Sequence, residues 1–220
     1  MNALTLALPK GRLLPHALDV LEAVGFDVRA LRDNTRKLII PDAKHNARFL
    51  LLKPFDVVTV VEYGAADIGI VGQDVLLENE SDVFEPLALP FGHCRIVLAA
   101  RRERAQTDWR LETSLRIASK YPRVTRKFFV ERGWSAEIIP LHGSIEIAPA
   151  LGLSDLLVDI VDTGRTLKEN GLVELETLCH SQAALIVNRA SHALRFQEIH
   201  ALMNAVNRVT NNQSPVISNQ

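Results

Sequence analysis

The chain has 220 residues and 47% hydrophobic content, enough for one large domain or two small ones that bury roughly 70% of the unfolded surface. Its 25 Lys and Arg balance 26 Asp and Glu to a net charge of −1, so no global basic field draws in nucleic acid. Two isolated cysteines, Cys94 and Cys179, exclude a disulfide framework or a zinc site and read as buried, reduced thiols.

The apolar run 4–8 predicts a strand. Lys10 and Arg12 follow that run instead of preceding it, the wrong order for a secretory signal, and no stretch is long enough to span a bilayer. A soluble cytoplasmic protein without a membrane partner is expected. Leu13, Leu14, Ala17, Leu18, Leu21 and Val24 mark one face of a helix that Gly25 stops. Residues 38–40 and 49–52 predict two strands of a hairpin. Residues 57–63 read as a helix despite their valines, because 68–71 follows as a strand. Further strands are expected at 94–100, 116–118, 138–141, 156–161 and 183–187, with helices near 124–132 and 144–151. Leu194, Ile199, Leu202, Met203 and Val206 give a closing helix before a polar tail at 211–220. Such alternation predicts an α/β protein of parallel sheets, with sites at the carboxyl ends of strands. The seven histidines, His16, His45, His93, His142, His180, His192 and His200, show no metal spacing, and no metal ligand set is assigned.

One segment is more informative than the rest. Leu156–Val161 is a short run rich in β-branched residues, interrupted only by Asp159 and followed by Asp162. It predicts a buried parallel strand. Thr163-Gly164-Arg165-Thr166 then turns the chain into a short helix that Gly171 stops. Free N–H groups at such a helix start suit a phosphate, and neighbouring carboxylates suit sugar hydroxyls. Two structural readings stand beside this one. Thr166 with Glu169 has the spacing of a capping box, and Gly164 is accounted for by a positive φ alone.

Asp159 to Leu167, in the form Asp-x-x-x-Thr-Gly-x-Thr-Leu, is similar to the phosphoribosyl-diphosphate (PRPP) loop of phosphoribosyltransferases. With Gly143-Ser144-Ile145-Glu146-Ile147-Ala148-Pro149 and Gly152-Leu153-Ser154-Asp155 upstream, it resembles the signature of the ATP phosphoribosyltransferase family, the first enzymes of histidine biosynthesis. Leu157 stands where that signature has Ile or Val. Matching blocks occur in order elsewhere: 6–13 with Pro9-Lys10-Gly11-Arg12, Thr35-Arg36-Lys37-Leu38, 62–74 ending in Gly72-Gln73-Asp74, and Ala118-Ser119-Lys120-Tyr121-Pro122.

The resemblance implies transfer of the phosphoribosyl group of PRPP to N1 of the ATP adenine, with release of pyrophosphate. Two polyanions must be brought together, and positive charge on the ribose must be stabilised while negative charge grows on the leaving group. No nucleophilic side chain is needed. On this resemblance Thr163, Gly164, Arg165 and Thr166 hold the 5′-phosphate. Asp159 or Asp162 binds ribose hydroxyls, with Glu146 a second candidate; Asp162 is favoured for its place at the strand end. Arg12 and Arg36 are the catalytic cations for the leaving diphosphate and the ATP phosphates, assisted by Lys10 and Gly11. Asp74 contacts the nucleotide or caps the helix that follows it. Lys120 is a weaker candidate. Arg36 and Lys37, apart from the resemblance, read as solvated edge-strand charges. Mg2+ is the implied cofactor, bound through substrate phosphates.

The family's fold implies two domains like those of periplasmic binding proteins, with the active site in the cleft between them. The expected division is 1–92 plus 184–220 for a discontinuous first domain and 93–183 for a second that carries the PRPP loop. With no room after residue 209 for a regulatory domain, the chain resembles the short form. That form implies a homodimer and a hetero-oligomer with a regulatory subunit resembling histidyl-tRNA synthetase. Two other readings share parts of the pattern: a solute-binding or sensing module of the same fold, and another transferase using PRPP.

Overall fold

The computed structural model describes residues 3–33 and 36–211. They form two compact units, one drawn from residues 1–92 and 182–220 and the other from 93–181. The first unit opens with β1 (Leu4–Pro9), α1 (Leu14–Ala23), α2 (Arg29–Arg32), β2 (Ile39–Asp42), β3 (Ala47–Leu52), α3 (Pro54–Glu62), β4 (Ile68–Gly72), α4 (Gln73–Asn79) and β5 (Phe84–Ala88). The second holds β6 (Cys94–Arg101), β7 (Leu115–Ser119), α5 (Pro122–Glu131), β8 (Ala136–Pro140), β9 (Leu156–Val161), α6 (Arg165–Glu169) and β10 (Leu172–Ser181). The chain then returns to the first unit through β11 (Ala183–Val187), α7 (Arg189–Leu194) and α8 (Phe196–Asn211).

The sheet of the first unit has the order β2-β3-β1-β4-β11-β5. Strands β3, β1 and β4 are parallel, while β2 and β11 run against them. Alternate residues of β1 feed two cores, as a strand covered on both faces requires. Leu6 and Leu8 pack with Leu18 and Leu21 of α1 and Ile199 and Leu202 of α8. Ala7 faces Val57, Val58 and Val61 of α3 on the other side.

The second sheet has the order β10-β6-β9-β7-β8. Here β9, β7 and β8 are parallel, and β6 lies antiparallel between β9 and β10. One face packs Val97, Ala118, Leu157 and Leu167 together. On α5, Phe128 and Phe129 stack in a cluster with Trp134, which meets Trp109 edge-on at 5.0 Å between centroids.

Several expectations change. The sheets are mixed, not purely parallel, because β11 and β6 turn back between neighbours. The hairpin of β2 and β3 forms as expected. Residues 144–151 make only a 3-10 turn at Ile145–Ile147, entered from Ser144 at a left-handed φ of +50°; Pro149 has no N–H to give the Ile145 carbonyl an α-helical bond. Cys94 is buried but Cys179 only partly so, and the two form no disulfide. No described helix is long and apolar enough to cross a membrane. Thr35 and the tail beyond Asn211 lie outside the described residues.

Candidate active site

In the first unit, strand direction gathers charge at one sheet edge. The carboxyl ends of β1, β3 and β4 lie together, and antiparallel β2 begins at that same edge. Lys10, Gly11 and Arg12 follow β1, all exposed. The Lys10 N–H donates to the Leu52 carbonyl at 2.7 Å, which stitches this turn to the end of β3, where Lys53 follows. Leu51 N–H donates to the Leu38 carbonyl at 2.9 Å, so exposed Arg36 and Lys37 enter at the same edge. Lys10, Arg36 and Lys53 make no ion pair among the described residues. Lys53 was missed in the sequence. Its signal is the position it shares with Lys10, one step past a buried strand, although Lys53 leads straight into α3 as its cap residue.

The start of α1 is arranged for an anion. Leu13 at the capping position supplies no side-chain hydrogen bond, and no acid sits in the first turn. Two cations just ahead of a helix start oppose its dipole, so their presence there needs a cause other than helix stability. Asp74 departs from the capping alternative: α4 starts at Gln73 with Gly72 in the cap position. The Asp74 side chain is buried instead, folded back so that a Cβ on Gly72 would lie 2.1 Å from its Oδ1.

In the second unit, β7, β8 and β9 also end at one edge. Asp159 is half-buried in β9, and its Oδ1 accepts from the Ile160 N–H at 2.7 Å. Burial pushes its pKa up to about 6; the Ile160 N–H opposes this, Glu146 adds to it, and Lys120 opposes it. Asp159, Glu146 and Lys120 are therefore one electrostatic group. Ile145 and Ala148, buried beside Leu157 and Val161, anchor the turn that carries Glu146.

Asp162, one step past β9, is exposed, and so are Thr163, Arg165 and Thr166. Gly164 has φ +76° and sits at the capping position of α6, whose start has no side-chain cap. The capping box of Thr166 and Glu169 thus does not form: Thr166 lies inside the first turn, two positions past the cap. The backbone N–H groups of Thr163, Gly164, Arg165 and Thr166 donate to nothing among the described residues. Such a run around a left-handed residue is an anion-binding concavity. Because α6 has five residues, the loop amides supply this field more than any helix dipole does.

Asp155, which the sequence groups with Asp159 and Asp162, has a different task. It lies before β9, and its Oδ2 accepts from the Arg116 N–H at 2.9 Å, closing the opposite edge of the sheet.

The family model described as HisG: ATP phosphoribosyltransferase matches residues 53–208. An ATP phosphoribosyltransferase of Moorella thermoacetica is 50% identical over 212 residues, 94% of this chain and 93% of that one. ATP phosphoribosyltransferase 2 of Geobacter sulfurreducens is 48% identical over 192 residues, 86% of this chain and 89% of its own. Among solved structures, the ATP phosphoribosyl transferase (HisG:HisZ) complex from Thermotoga maritima superimposes with a TM-score of 0.81 at 35% identity, covering 96% of this chain and 100% of that one. With half the residues shared along nearly the whole of a relative, the chain belongs to the ATP phosphoribosyltransferase family, the enzymes of the first step of histidine biosynthesis.

Proposed function

We propose that loop 163–166 holds the 5′-phosphate of PRPP through its backbone N–H groups and the Thr163 and Thr166 hydroxyls, while Asp159, Asp162 and Glu146 serve the ribose hydroxyls. The observation that carries this reading is the run of four N–H groups with no acceptor among the described residues, just after the strand that holds Asp159. Adenine N1 attacks the anomeric carbon as its bond to the diphosphate oxygen breaks. Positive charge then develops on the ribose and negative charge on the departing diphosphate. Asp159 and Glu146 stabilise the first, and Arg12 and Arg36 take up the second, assisted by Lys10 and the turn at Gly11. Arg165 adds charge at the 5′-phosphate, and Asp74 serves the nucleotide.

Mg2+ fits this site through the substrate. Among the described residues no three His, Cys, Asp or Glu are grouped to cage a metal, and Mg2+ commonly binds through phosphates with one or two carboxylates. When bound, it would supply positive charge that neutralises the leaving diphosphate.

The chain covers 93% of the Moorella thermoacetica relative and 100% of the Thermotoga maritima chain, which supports the pattern of the short form. On the precedent of the Thermotoga maritima HisG:HisZ complex, it works with a HisZ-type subunit; the family resemblance adds a homodimer and a regulatory role for that subunit, which resembles histidyl-tRNA synthetase. Histidine control then enters across a subunit interface, as coupling requires a second site. The direct test mixes the chain with PRPP, ATP and Mg2+ and follows formation of phosphoribosyl-ATP and pyrophosphate. Binding without turnover, or turnover only with another base, would overturn the reading. Histidine should leave the isolated chain uninhibited and inhibit it once the partner is added.

A further inference from the structure

Two hydroxyls in the core of the second unit, Ser119 and Thr125, are 0% exposed. A buried hydroxyl is unfavourable unless it is bonded, and here the bonds close a ring. The Tyr121 N–H donates to Ser119 Oγ at 2.9 Å, Ser119 Oγ lies 2.8 Å from Thr125 Oγ1, and Thr125 Oγ1 donates to the Tyr121 carbonyl at 2.7 Å. The ring begins and ends on Tyr121 and includes Ser119, so it fixes the backbone on both sides of Lys120. A further bond from the Leu141 N–H to the Ser119 carbonyl, at 2.9 Å, ties the turn to the strand beyond.

This turn is aimed at the carboxylates. Ser119 stands opposite Val158 in the parallel register of β7 and β9, so Lys120 comes one step further, beside Asp159. Glu146 approaches the same carboxylate from the 3-10 turn after β8, whereas the β6 residue paired with Asp159 is uncharged Val97.

We propose that Ser119 and Thr125 are positioning residues, which lock the turn after β7 so that the Lys120 ammonium is held within electrostatic reach of the Asp159 carboxylate and its neighbour Glu146. This rests on the assignment of those carboxylates to the ribose. Held there, Lys120 keeps both acids available as acceptors for sugar hydroxyls and limits their mutual repulsion. A ring that served only to cap α5 would affect stability and leave the carboxylates alone.

The test titrates the Asp159 side-chain carboxyl by NMR in the substrate-free full chain. The parent midpoint is expected at about 6. Lys120→Met should move it upward by about one pH unit, and Thr125→Val should move it the same way. Thr125→Ser, which keeps the hydroxyl, should leave it in place. Arg116→Ala removes the guanidinium's 3.6 Å ion pair with Asp155 at the other end of β7, which is remote from the ring, and should not move the midpoint. If Thr125→Val does not fold, Ser119→Ala opens the same ring and gives the same reading. A ring variant that melts earlier but keeps the parent midpoint overturns the proposal, as does an unmoved midpoint in Lys120→Met. Calorimetric PRPP binding to Asp159→Asn separates the two claims: unchanged affinity would sink the ribose assignment and leave the positioning role standing.

Discussion

The amino and carboxyl edges of the two sheets are furnished in opposite ways. At the amino edge of the first sheet, Asp67 accepts from the Thr5 N–H at 2.8 Å, from Ser191 Oγ at 2.7 Å and from Arg195 Nη1 at 3.0 Å. Nearby, Asn188 Nδ2 donates to the Val61 carbonyl at 2.8 Å, holding the returning chain in place. Asp42 takes the N–H groups of Asp27, Lys44 and His45 and the ring of His45. Burial pushes its pKa up, but His45 and these N–H groups outweigh that and hold it below the usual carboxylate range. At the carboxyl edges, by contrast, Lys10 and Arg36 make no ion pair among the described residues, and four loop N–H groups find no acceptor among them. Charge that is matched internally stabilises the fold; charge left unmatched at an ordered edge is available to a ligand.

The largest effect should come from the cations. Arg12→Ala or Arg36→Ala should lower kcat by about 10²–10³, the scale of one preorganised electrostatic donor. As both side chains are exposed, stability should change by no more than about 0.5 kcal/mol. Lys at either position should rescue only in part, since a point charge cannot reproduce the guanidinium fork on a phosphate. Steady-state kinetics beside urea melts would check this. A raised KM with unchanged kcat would mean uniform binding instead.

The amino edge should behave in reverse. Asp67→Ala strands three donors at once and should cost about 2–3 kcal/mol of folding stability, while kcat per folded molecule stays at the parent value. Loss of kcat without loss of stability would erase the distinction between the edges.

Asp159 lies between these two cases, because it is a ligand candidate that is half-buried. Its carboxyl titrates near 6 in the folded chain against 3.8 ordinarily. The folded state therefore holds the proton longer, and stability falls as pH rises through that window. Asp159→Asn should gain relative to the parent between about pH 4 and 6, reaching about 3 kcal/mol, with no further change above. Thermal melts across that range would test it; a constant offset at every pH would refute the raised titration.

How much of this the sequence displays depends on the kind of signal. Continuous buried strands such as β4 and β11 were plain from their apolar runs, as was the loop at Gly164. Strand β5 was hidden because Pro86 interrupts it, and β10 because Glu174 and Glu176 break its apolar pattern and two register shifts upset its period. Strand direction has no periodicity to betray it, so the mixed order of both sheets was illegible. At the site, the candidate residues could be named, but the grouping of Lys120 with Asp159 and Glu146 depends on register between β7 and β9. Lys53 needed the alignment of β1 with β3.

The smallest effect is expected at Thr166, where the two edges would be easiest to confuse. As the cap of α6 its hydroxyl would be worth about 1 kcal/mol of stability, and that was a fair reading of its spacing to Glu169. In the structure Gly164 takes the cap position and no side chain caps the helix. Thr166→Ala should therefore leave stability within about 0.5 kcal/mol of the parent. The lost phosphate contact should weaken PRPP binding by about tenfold, equivalent to roughly 1.4 kcal/mol. Calorimetric PRPP titration and urea melts on the same preparation separate the outcomes. A variant that loses stability and keeps its PRPP affinity would return Thr166 to a structural role, and with it the claim that this edge is left open for a ligand.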